Sequence, residues 1–579
     1  MGLTHEKELN YNFENEVEKK LYILLKGFLH RLDHLASAGF QRDNFFDISE
    51  DKIDDLLKIF ISEKKNIKEE EVIFKDFQNK TYKNKNSDLL SIAFTGSGKT
   101  LSDHRWSGIR KFYLVPTRVS AEAFYLDACK IYGNDNVGIL HGDSIIYLDK
   151  DKSDIEENTS ISISEDDFNL TRNLAKPYIV STIDQILTFL FRFPRYEKII
   201  ASLLGSKITI DEVHLLDPYM FIVALDVIKI LKDFGIGFHL MTATMPPVYK
   251  ERIEESKLNF IENKSDEDSG GNLVQLVLKD NEIDSPEIIN EIGKAVKDHG
   301  KVLIVCNTIK KAKSVYKQLE KNASHLNLLH SLFTLRDKME KHRNLMDDQN
   351  CSGIWICTQM VEVALDIDFP VVFSELAPIE NIIQRMGRCN RRNKYDKGVF
   401  HVCKKTITPE EIYKSELREA TLSVLNKYKD SQLSNSTRKE ILEKVYKIKK
   451  VIDTLNDEFS KAKDSLRKLF GNEPYKAFYQ LDPLIDLTNR YEAQTLFRRS
   501  VLPIRVIPFS ELNNELESYK TTTFENRKSL YINLLEKTVP LPRYSKEKVE
   551  IDFTAKPFPI TYAKYNNKTG LDISVENVL

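Results

Sequence analysis

The chain has 579 residues, of which 30% are charged and 41% are hydrophobic, and this length predicts about three or four domains. Its formal net charge of −2 excludes a global basic field, so any contact with nucleic acid must depend on local patches and backbone amides. The six cysteines are scattered and include no Cys-x-x-Cys pair, which disfavours a zinc site and favours reduced thiols. The longest apolar stretch, residues 220–231, is too short to cross a bilayer. We therefore expect a cytoplasmic protein with no membrane partner.

Residues 1–71 are predicted to form an N-terminal helical segment, because apolar residues such as Leu21 and Leu25 recur at helical spacing. His30, Asp33 and His34 have spacings compatible with one helix and could together bind a metal. A purely structural helix is the interpretation we favour.

Two α/β units follow, each with apolar strands alternating with helical stretches. The first is predicted at residues 72–262 and the second at residues 273–430, with an acidic, glycine-containing linker between them. Residues 431–579 form an accessory region, which is helical at first and then contains strands punctuated by proline. The predicted fold class is therefore α/β, with two doubly wound parallel sheets.

Residues 93–100, Ala-Phe-Thr-Gly-Ser-Gly-Lys-Thr, follow a predicted strand and have the pattern of a phosphate-binding loop. Glycines in this loop can adopt backbone angles that turn successive N–H groups towards an anion, the lysine reaches the β- and γ-phosphates, and the last hydroxyl binds Mg²⁺. A glycine-rich surface turn is the alternative. The candidate ATP-binding residues are Thr95, Gly96, Ser97, Gly98, Lys99 and Thr100, with Lys99 also acting in catalysis and Thr100 as a metal ligand.

Residues 208–214, Ile-Thr-Ile-Asp-Glu-Val-His, predict a buried strand that ends in two carboxylates. Ligands bind at the carboxyl ends of parallel strands. We therefore assign Asp211 to the metal and Glu212 to the role of base that orients the attacking water.

Residues 384–392, Gln-Arg-Met-Gly-Arg-Cys-Asn-Arg-Arg, are placed in the second α/β unit. Arg388 and Arg391 lie three residues apart, so we expect them on one helical face, directed across a cleft at the γ-phosphate. Arginines in that position neutralise charge on the transferred phosphoryl group, and the segment predicts Gln384, Arg388 and Arg391 as catalytic residues.

The ordered set of segments resembles a superfamily 2 helicase, in which two tandem RecA-like lobes clamp ATP. Gln78 resembles the residue that reads adenine, and Asp366 resembles the one that contacts the ribose. The other matching segments are residues 115–118, 181–185, 241–246, 305–308 and 357–368.

The sequences of several segments are similar to those of the signature helicase of type I CRISPR interference, and the resemblance covers residues 70–430. This resemblance implies an ATP-driven, Mg²⁺-dependent translocase that moves 3′ to 5′ on single-stranded DNA opened by an RNA-guided surveillance complex (Cascade). The residues we expect to hold DNA phosphates are Pro116, Thr117, Arg118 and Thr182 in the first lobe and Asn307, Thr308, Thr358 and Gln359 in the second.

Family members often carry an N-terminal nuclease with a His and Asp metal cluster. Residues 27–38 resemble the segment that closes this domain, with Asp33 at its last ligand position. One ligand cannot build a metal site, so we predict no DNA cleavage by this chain. The nuclease is then either a separate subunit or a part removed from this chain, and the sequence does not distinguish the two. Two other functions stay open, namely a general superfamily 2 remodeller of RNA or DNA and a clamp that binds ATP without hydrolysis.

Overall fold

The fold is taken from a computed structural model. Apart from single-residue gaps at 107, 109, 322, 324 and 488, it describes residues 15–37, 50–93, 97–148, 161–265, 273–347, 351–362, 366–471, 474–479, 487–498, 503–542 and 549–573.

The first lobe is a parallel sheet of seven strands among the described residues, in the order β3-β4-β2-β5-β6-β1-β7. Its central strands are fully buried, as expected for a sheet with helices on both faces. The strands are β1 Leu89–Ile92, β2 Arg110–Val115, β3 Val137–Leu140, β4 Tyr178–Thr182, β5 Ser206–Ile210, β6 Gly237–Thr242 and β7 Ile261–Lys264. The helices are α3 Asp76–Lys83, α4 Lys99–His104, α5 Arg118–Tyr132, α6 Glu165–Arg172, α7 Glu197–Leu203, α8 Pro218–Lys232 and α9 Pro247–Glu255.

The second lobe repeats this strand order with seven described strands, β10-β11-β9-β12-β13-β8-β14. The edge strand β14 is antiparallel and lies beyond the expected boundary at residue 430. The strands are β8 Val274–Lys279, β9 Lys301–Val305, β10 Leu326–Leu329, β11 Gly353–Cys357, β12 Val371–Glu375, β13 Gly398–Cys403 and β14 Gln432–Leu433. The helices are α10 Pro286–His299, α11 Ile309–Leu319, α12 Leu335–Met346, α13 Ile379–Met386 and α14 Ser415–Leu425. The prediction of two tandem RecA-like α/β lobes is confirmed.

The N-terminal segment contains helices α1 Glu16–Ser37 and α2 Glu50–Lys65. Helix α1 packs closely on α7 of the first lobe, because Gly27 lies where a Cβ atom would be 2.3 Å from the carbonyl oxygen of Glu197. The segment is therefore held against the first lobe by helix packing.

The accessory region begins with two helices. The spacing of apolar residues over residues 436–470 predicts a single helix there. Ile448 has extended backbone angles and separates them. The helices are α15 Asn435–Tyr446, α16 Lys449–Phe470, α17 Pro474–Phe478, α18 Arg490–Arg498, α19 Glu515–Thr521 and α20 Phe524–Glu536. The strands are β15 Ile504–Pro508, β16 Val539–Leu541, β17 Ile551–Asp552, β18 Ile560–Thr561, β19 Tyr565–Asn566 and β20 Gly570–Leu571.

The accessory region contacts both lobes. Arg252 of α9 donates a hydrogen bond to Asn456 of α16 over 2.7 Å, and the backbone N–H of Leu335 in α12 donates to the carbonyl of Thr538 over 3.0 Å. Within the described residues, we find no helix with the length and apolar character needed to span a membrane.

Candidate active site

The described part of the phosphate-binding loop lies between β1 and α4. Gly98 has φ +94°, and a Cβ atom there would lie 2.5 Å from the side-chain nitrogen of Gln78, so both the backbone angle and the close approach require glycine. Helix α4 begins at Lys99, which directs its N-terminal N–H groups towards the loop. Thr95 and Gly96 lie outside the described residues.

The side chains of this loop fit a phosphate and its metal. Ser97 is buried, and its hydroxyl has no hydrogen-bond partner among the described residues. A buried hydroxyl of this kind suits an external acceptor such as a phosphate oxygen. Thr100 is the second residue of α4, next to Lys99, as the predicted role of metal ligand requires.

Glu212 lies beside the same loop, at the carboxyl end of β5, with φ +49°. Lys99 Nζ is 2.7 Å from Glu212 Oε1, and the backbone N–H of Ala243 donates to Oε2 over 3.1 Å. Burial opposes ionisation of this carboxyl, but the Lys99 charge holds its pKa below the usual value. Glu212 is therefore an ionised carboxylate in contact with Lys99, the residue predicted to bind the phosphates.

Asp211 is more deeply buried than Glu212. It accepts hydrogen bonds from the Tyr113 hydroxyl over 2.7 Å and from the backbone N–H of Glu212 over 2.9 Å. Burial and the Glu212 charge raise the pKa of Asp211 above its usual value. A carboxylate in this position would be stabilised by a divalent cation. The sequence gives no signal for Tyr113, which lies inside an apolar strand.

A hydrogen-bonded chain crosses from one lobe to the other through His214, a residue that our sequence analysis did not single out. His214 Nδ1 is 2.7 Å from the Thr242 hydroxyl and 3.3 Å from Glu212 Oε2. Its Nε2 is 3.2 Å from the side-chain nitrogen of Gln384 in α13 of the second lobe. Burial lowers the pKa of His214 to about 4, so the imidazole is neutral at pH 7. The predicted base is thus linked to Gln384 across the lobes.

The two predicted arginines lie beyond α13, so the expectation that they share a helical face is wrong. The helix ends at Met386, before either arginine. Asn390 lies between the two arginines with φ +50°, a backbone angle that does not continue a helix. Arg388 donates to the carbonyls of Val361 and Glu362 over 2.9 and 2.7 Å.

Arg391 is held by two aspartates. Its Nε is 3.1 Å from Asp366 Oδ1, and its backbone N–H donates to Asp368 over 2.6 Å. Burial and the neighbouring Arg391 charge lower the pKa of Arg388 to about 9. Positive charge is therefore concentrated at this edge of the second lobe, where an anion would be stabilised.

Arg385 was missed by sequence reasoning although it lies inside the motif. Its guanidinium is wholly buried and is 2.7 Å from Glu362. It also donates to the Ser374 hydroxyl over 2.9 Å and to Asn307 Oδ1 over 3.0 Å. Arg385 therefore joins three of the helicase-like segments inside the second lobe.

The predicted nucleotide contacts Gln78 and Asp366 lie at opposite sides of the site. The Gln78 amide donates to the carbonyl of Gly98 over 3.2 Å and accepts from the backbone N–H of Lys75 over 2.9 Å. The Asp366 side chain is 62% exposed and pairs with Arg391 and Arg392. Their contacts with adenine and ribose stay predictions.

The first-lobe candidates for DNA contact follow β2 and β4. Thr117 caps α5 by accepting from the backbone N–H of Ser120 over 3.2 Å, with Pro116 just before it. Arg118 forms an ion pair with Asp143. Thr182 is buried at the end of β4. Arg118 is thus the charged residue among these first-lobe candidates, and its guanidinium is paired with the Asp143 carboxylate.

In the second lobe, the Asn307 side chain is engaged inside the fold, and its contact with DNA stays a prediction. Its side chain is fully buried and uses both N–H groups inside the lobe, donating to the carbonyl of Leu376 over 2.9 Å and to Thr408 over 2.8 Å. It supports Arg385 and has no side-chain donor left for a phosphate.

The other second-lobe candidates lie around Asn307. Thr308 caps α11 by accepting from the backbone N–H of Lys311 over 3.1 Å, and Gln359 donates to the carbonyl of Asn307 over 2.8 Å. Thr358 is buried. For these three residues, DNA contact stays a prediction.

The possible metal set of α1 is not assembled. His34 has its two ring nitrogens 2.9 Å from Lys198 Nζ and 3.3 Å from Arg195 Nη1, which places two cations where a metal would have to bind. Within the described residues, no group of three or more His, Cys, Asp or Glu side chains could hold a metal ion.

Several known proteins are similar in sequence to this chain. A family model described as CRISPR-associated nuclease/helicase Cas3, C-terminal, matches residues 298–394. A putative CRISPR-associated nuclease/helicase Cas3 from Methanocaldococcus jannaschii is 28% identical over 64% of this chain and 54% of its own length. The CRISPR-associated nuclease/helicase Cas3 of Methanothermobacter thermautotrophicus is 24% identical over 86% of this chain and 60% of its own length. The chain thus spans less than two thirds of these relatives.

The crystal structure of T. fusca Cas3-AMPPNP superposes with a TM-score of 0.67, covering 86% of this chain and 71% of that chain at 17% identity. At this identity the likeness shows the fold alone. The resemblance recognised from the motifs is confirmed: this chain is related to the Cas3 helicases of type I CRISPR systems.

Proposed function

We propose that the chain is an ATP-dependent translocase, or helicase, that moves 3′ to 5′ along single-stranded DNA during type I CRISPR interference. The observation that carries this proposal is the chain of close polar contacts from Lys99 through Glu212 and His214 to Gln384. It connects a phosphate-binding loop in one lobe with an arginine-rich segment in the other, as a motor that closes on ATP requires.

ATP and Mg²⁺ fit the residues at the loop. Lys99, the Ser97 hydroxyl and the N-terminus of α4 would hold the phosphates, while Thr100 and Asp211 would hold Mg²⁺. When bound, Mg²⁺ neutralises charge on the β- and γ-phosphate oxygens. Lys99 would exchange the Glu212 carboxylate for phosphate, which frees Glu212 to accept a hydrogen bond from water.

Glu212 is suited to the role of general base because it is ionised at neutral pH and is oriented by the backbone N–H of Ala243. The proposal requires Arg391 to leave Asp366 and reach the terminal phosphoryl group when the lobes close. The arginines would then stabilise charge that develops on the transferred oxygens.

Gln384 of the second lobe contacts His214 of the first lobe, so it can couple the ATP site to the position of the second lobe. His214 accepts from the Gln384 amide of α13 through Nε2 and donates to the Thr242 hydroxyl of β6 through Nδ1, and the same Nδ1 lies 3.3 Å from Glu212 Oε2. A change at Glu212 therefore reaches a contact shared by both lobes. We infer that this coupling converts hydrolysis into relative movement of the lobes along DNA.

The names of the relatives and of one structural neighbour support the proposed partners, which are single-stranded DNA and an RNA-guided surveillance complex. The neighbour, a CRISPR RNA-guided surveillance complex in a pre-nicking state, superposes with a TM-score of 0.58 at 17% identity. We propose that this chain acts with such a complex (Cascade), and that any DNA cleavage comes from a separate nuclease subunit.

The test is phosphate release by the purified chain with ATP and Mg²⁺, alone and with single-stranded DNA or RNA. We expect stimulation by DNA and no turnover in Lys99→Ala, since this side chain binds the phosphates. The exposed α3 variant Lys80→Ala is the matched control and should retain turnover. Stimulation by RNA alone favours the general remodeller, and nucleotide binding without any turnover favours the ATP-gated clamp.

A further inference from the structure

A set of buried polar side chains lies between helix α4 and the sheet of the first lobe. We call it the Asp103 network, and its members are Ser91 of β1, Asp103 of α4, Lys111 of β2, Thr209 of β5 and His239 of β6. Every member is at most 4% exposed. Burying polar groups costs free energy unless they bond to one another, so the contacts within this network decide what it does.

Asp103 is the centre of the network. Its Oδ1 accepts from the Thr209 hydroxyl over 2.6 Å and from His239 Nδ1 over 2.7 Å, and its Oδ2 is 2.7 Å from Lys111 Nζ. Burial opposes ionisation of this carboxyl, but the Lys111 charge and the His239 hydrogen bond hold its pKa below the usual value. One ionised carboxylate therefore joins α4 to three strands of the sheet.

The imidazole of His239 extends the network to a fourth strand. Burial lowers the pKa of His239 below its ordinary 6.5, so the ring is neutral at pH 7. Because Nδ1 donates to Asp103, Nε2 is the acceptor, and the Ser91 hydroxyl donates to it over 2.7 Å. Ser91 is the last residue but one of β1, the strand that leads into the phosphate-binding loop. The network thus also reaches the start of this loop.

Lys111 holds the carboxyl end of α4. Besides its ion pair with the Asp103 carboxylate, its ammonium donates to the backbone carbonyl of Asp103 over 2.5 Å and to that of Trp106 over 3.1 Å. Carbonyl groups at the end of a helix lack partners within the helix and carry partial negative charge, which a cation stabilises. Helix α4 has only six residues, and a helix this short is not stable by itself. Its position therefore depends on such contacts.

The network connects the two groups of the candidate active site that must meet at the phosphates. In α4, Asp103 follows Lys99 by about one helical turn. In β5, Thr209 precedes the predicted metal ligand Asp211 by two residues. The hydrogen bond between Thr209 and Asp103 thus joins the strand that carries the carboxylates to the helix that carries the lysine.

We propose that Asp103 is a positioning residue for ATP hydrolysis, which fixes Lys99 relative to Asp211 and Glu212. The inference rests on the proposed function and deepens it. Asp103 acts through α4 and not on ATP, because its side chain is fully buried. A buried ion pair is weak evidence of added stability, since apolar residues of similar volume are often as stable. Fixed geometry is what the network supplies, because polar contacts in a low-dielectric interior specify one arrangement.

The test combines ATP hydrolysis by the full chain, measured as phosphate release with saturating single-stranded DNA, with the affinity for N-methylanthraniloyl-ATP, a fluorescent ATP analogue. Thr209→Val keeps the shape of the side chain and removes one hydrogen bond to Asp103. We expect its kcat/KM for ATP to fall about tenfold, the scale of one lost hydrogen bond to a charged group. The fall should come mainly from a higher KM, and the affinity for the analogue should weaken in parallel.

The double variant Asp103→Leu with Lys111→Met removes the centre of the network and both of its charges, so neither charge is left unpaired. Its kcat/KM should fall about 100-fold, the effect of misplacing a reacting group by about 1 Å. A loss of folded protein lowers the apparent kcat and leaves KM as it is, whereas a misplaced Lys99 raises KM. A raised KM in the folded double variant therefore supports the positioning role.

Thr421→Val is the matched control. Thr421 of α14 in the second lobe is fully buried and donates to the carbonyl of Leu417 over 2.8 Å, so this variant also loses one buried hydrogen bond. We expect its KM to be unchanged even where its midpoint of thermal unfolding falls as far as that of Thr209→Val. An equal rise of KM in the two variants would assign the effect to general destabilisation and overturn the proposal.

The remaining outcomes separate this inference from the proposed function. If KM and analogue affinity are unchanged in Thr209→Val and in the double variant while DNA stimulates hydrolysis by the unaltered chain, the inference fails and the proposed function stands. If the unaltered chain binds the analogue without hydrolysing ATP, the proposed function fails. The analogue affinities of the variants then decide alone, with weaker binding supporting the role of Asp103 and equal binding overturning it. If the unaltered chain binds no nucleotide, both fail.

Discussion

The two lobes share one strand order but treat the functional groups at their facing edges differently. In the first lobe, Lys99 and Glu212 neutralise each other across the phosphate-binding loop. In the second lobe, Arg388 is held by backbone carbonyls and Arg391 by Asp366. The Lys99–Glu212 pair and the Arg391–Asp366 pair each lie within one lobe.

ATP can drive the lobes together by replacing these two pairs. A triphosphate would compete with Glu212 for Lys99 in the first lobe and with Asp366 for Arg391 in the second. Both exchanges replace a pair within one lobe by contacts to a shared ligand, so they favour closure. The link between His214 and Gln384 already crosses the lobes and needs no such exchange.

The largest effect is expected from Arg391→Ala. Loss of an arginine that stabilises the transferred phosphoryl group should lower ATP hydrolysis by roughly 10³–10⁵-fold, measured as phosphate release with saturating DNA. Arg392→Ala is the control, because Arg392 pairs with the same Asp366 but is not assigned to the phosphate. Equal losses in the two variants would contradict the distinction between them.

Glu212→Gln should separate ATP binding from hydrolysis. The amide keeps the shape of the side chain but cannot accept a proton, so hydrolysis should fall by about 10²–10⁴-fold. ATP affinity, measured by isothermal titration, should be retained, since the carboxylate no longer competes for Lys99. Weaker ATP binding with normal turnover of the bound fraction would exclude Glu212 as the base.

Arg385→Met tests whether the buried pair of Arg385 and Glu362 stabilises the second lobe. Removing one partner of a buried ion pair leaves Glu362 uncompensated, and this typically costs about 3–5 kcal/mol. The midpoint of thermal unfolding should therefore fall, and the double variant with Glu362→Met should recover part of the loss. The exposed α12 variant Arg343→Met provides the control, and a similar fall there would show that Arg385 has no special structural role.

The smallest predicted effect is the response of stability to pH. Burial lowers the pKa of His401 from its ordinary 6.5 to about 3. As the pH falls below 6.5, the unfolded chain takes up a proton that the folded chain does not, so stability is lost. At pH 5 this amounts to about 2 kcal/mol.

His401→Phe keeps the stacking on Phe373, whose ring centroid is 4.2 Å away, and removes the titrating group. The fall in the unfolding midpoint between pH 7 and pH 5 should be smaller in this variant than in the unaltered chain. His299→Phe at the exposed end of α10 should leave the pH dependence as it is. An unchanged pH dependence in His401→Phe would contradict the assignment.

The sequence predicts that the candidate catalytic groups of the first lobe lie together, because the chemistry of such a site fixes their spacing. A phosphate loop must follow a strand, and its acidic partners must end a neighbouring strand, so residues 97–100 and Asp211 and Glu212 could be assigned without a structure. The two lobes were predictable for the same reason, since buried parallel strands alternate with helices.

The second lobe was harder because spacing does not reveal which side chains turn inward. Arg385, Arg388 and Arg391 look equivalent in sequence. In the structure Arg385 binds the side chains of Glu362 and Ser374, whereas Arg388 donates to backbone carbonyls and Arg391 pairs with Asp366. Asn307 was assigned to DNA because small polar residues suit phosphate contacts, but burial directs it to Arg385.

The central claim is that ATP is held at a seam and contacted by groups from both lobes. A crystal structure with a non-hydrolysable ATP analogue, Mg²⁺ and single-stranded DNA tests it most directly. We predict closed lobes, Lys99 on the phosphates and the Arg391 or Arg388 guanidinium within hydrogen-bonding distance of the terminal phosphoryl group. Closed lobes with Arg388 still on the carbonyls of Val361 and Glu362, and Arg391 still on Asp366, would contradict it.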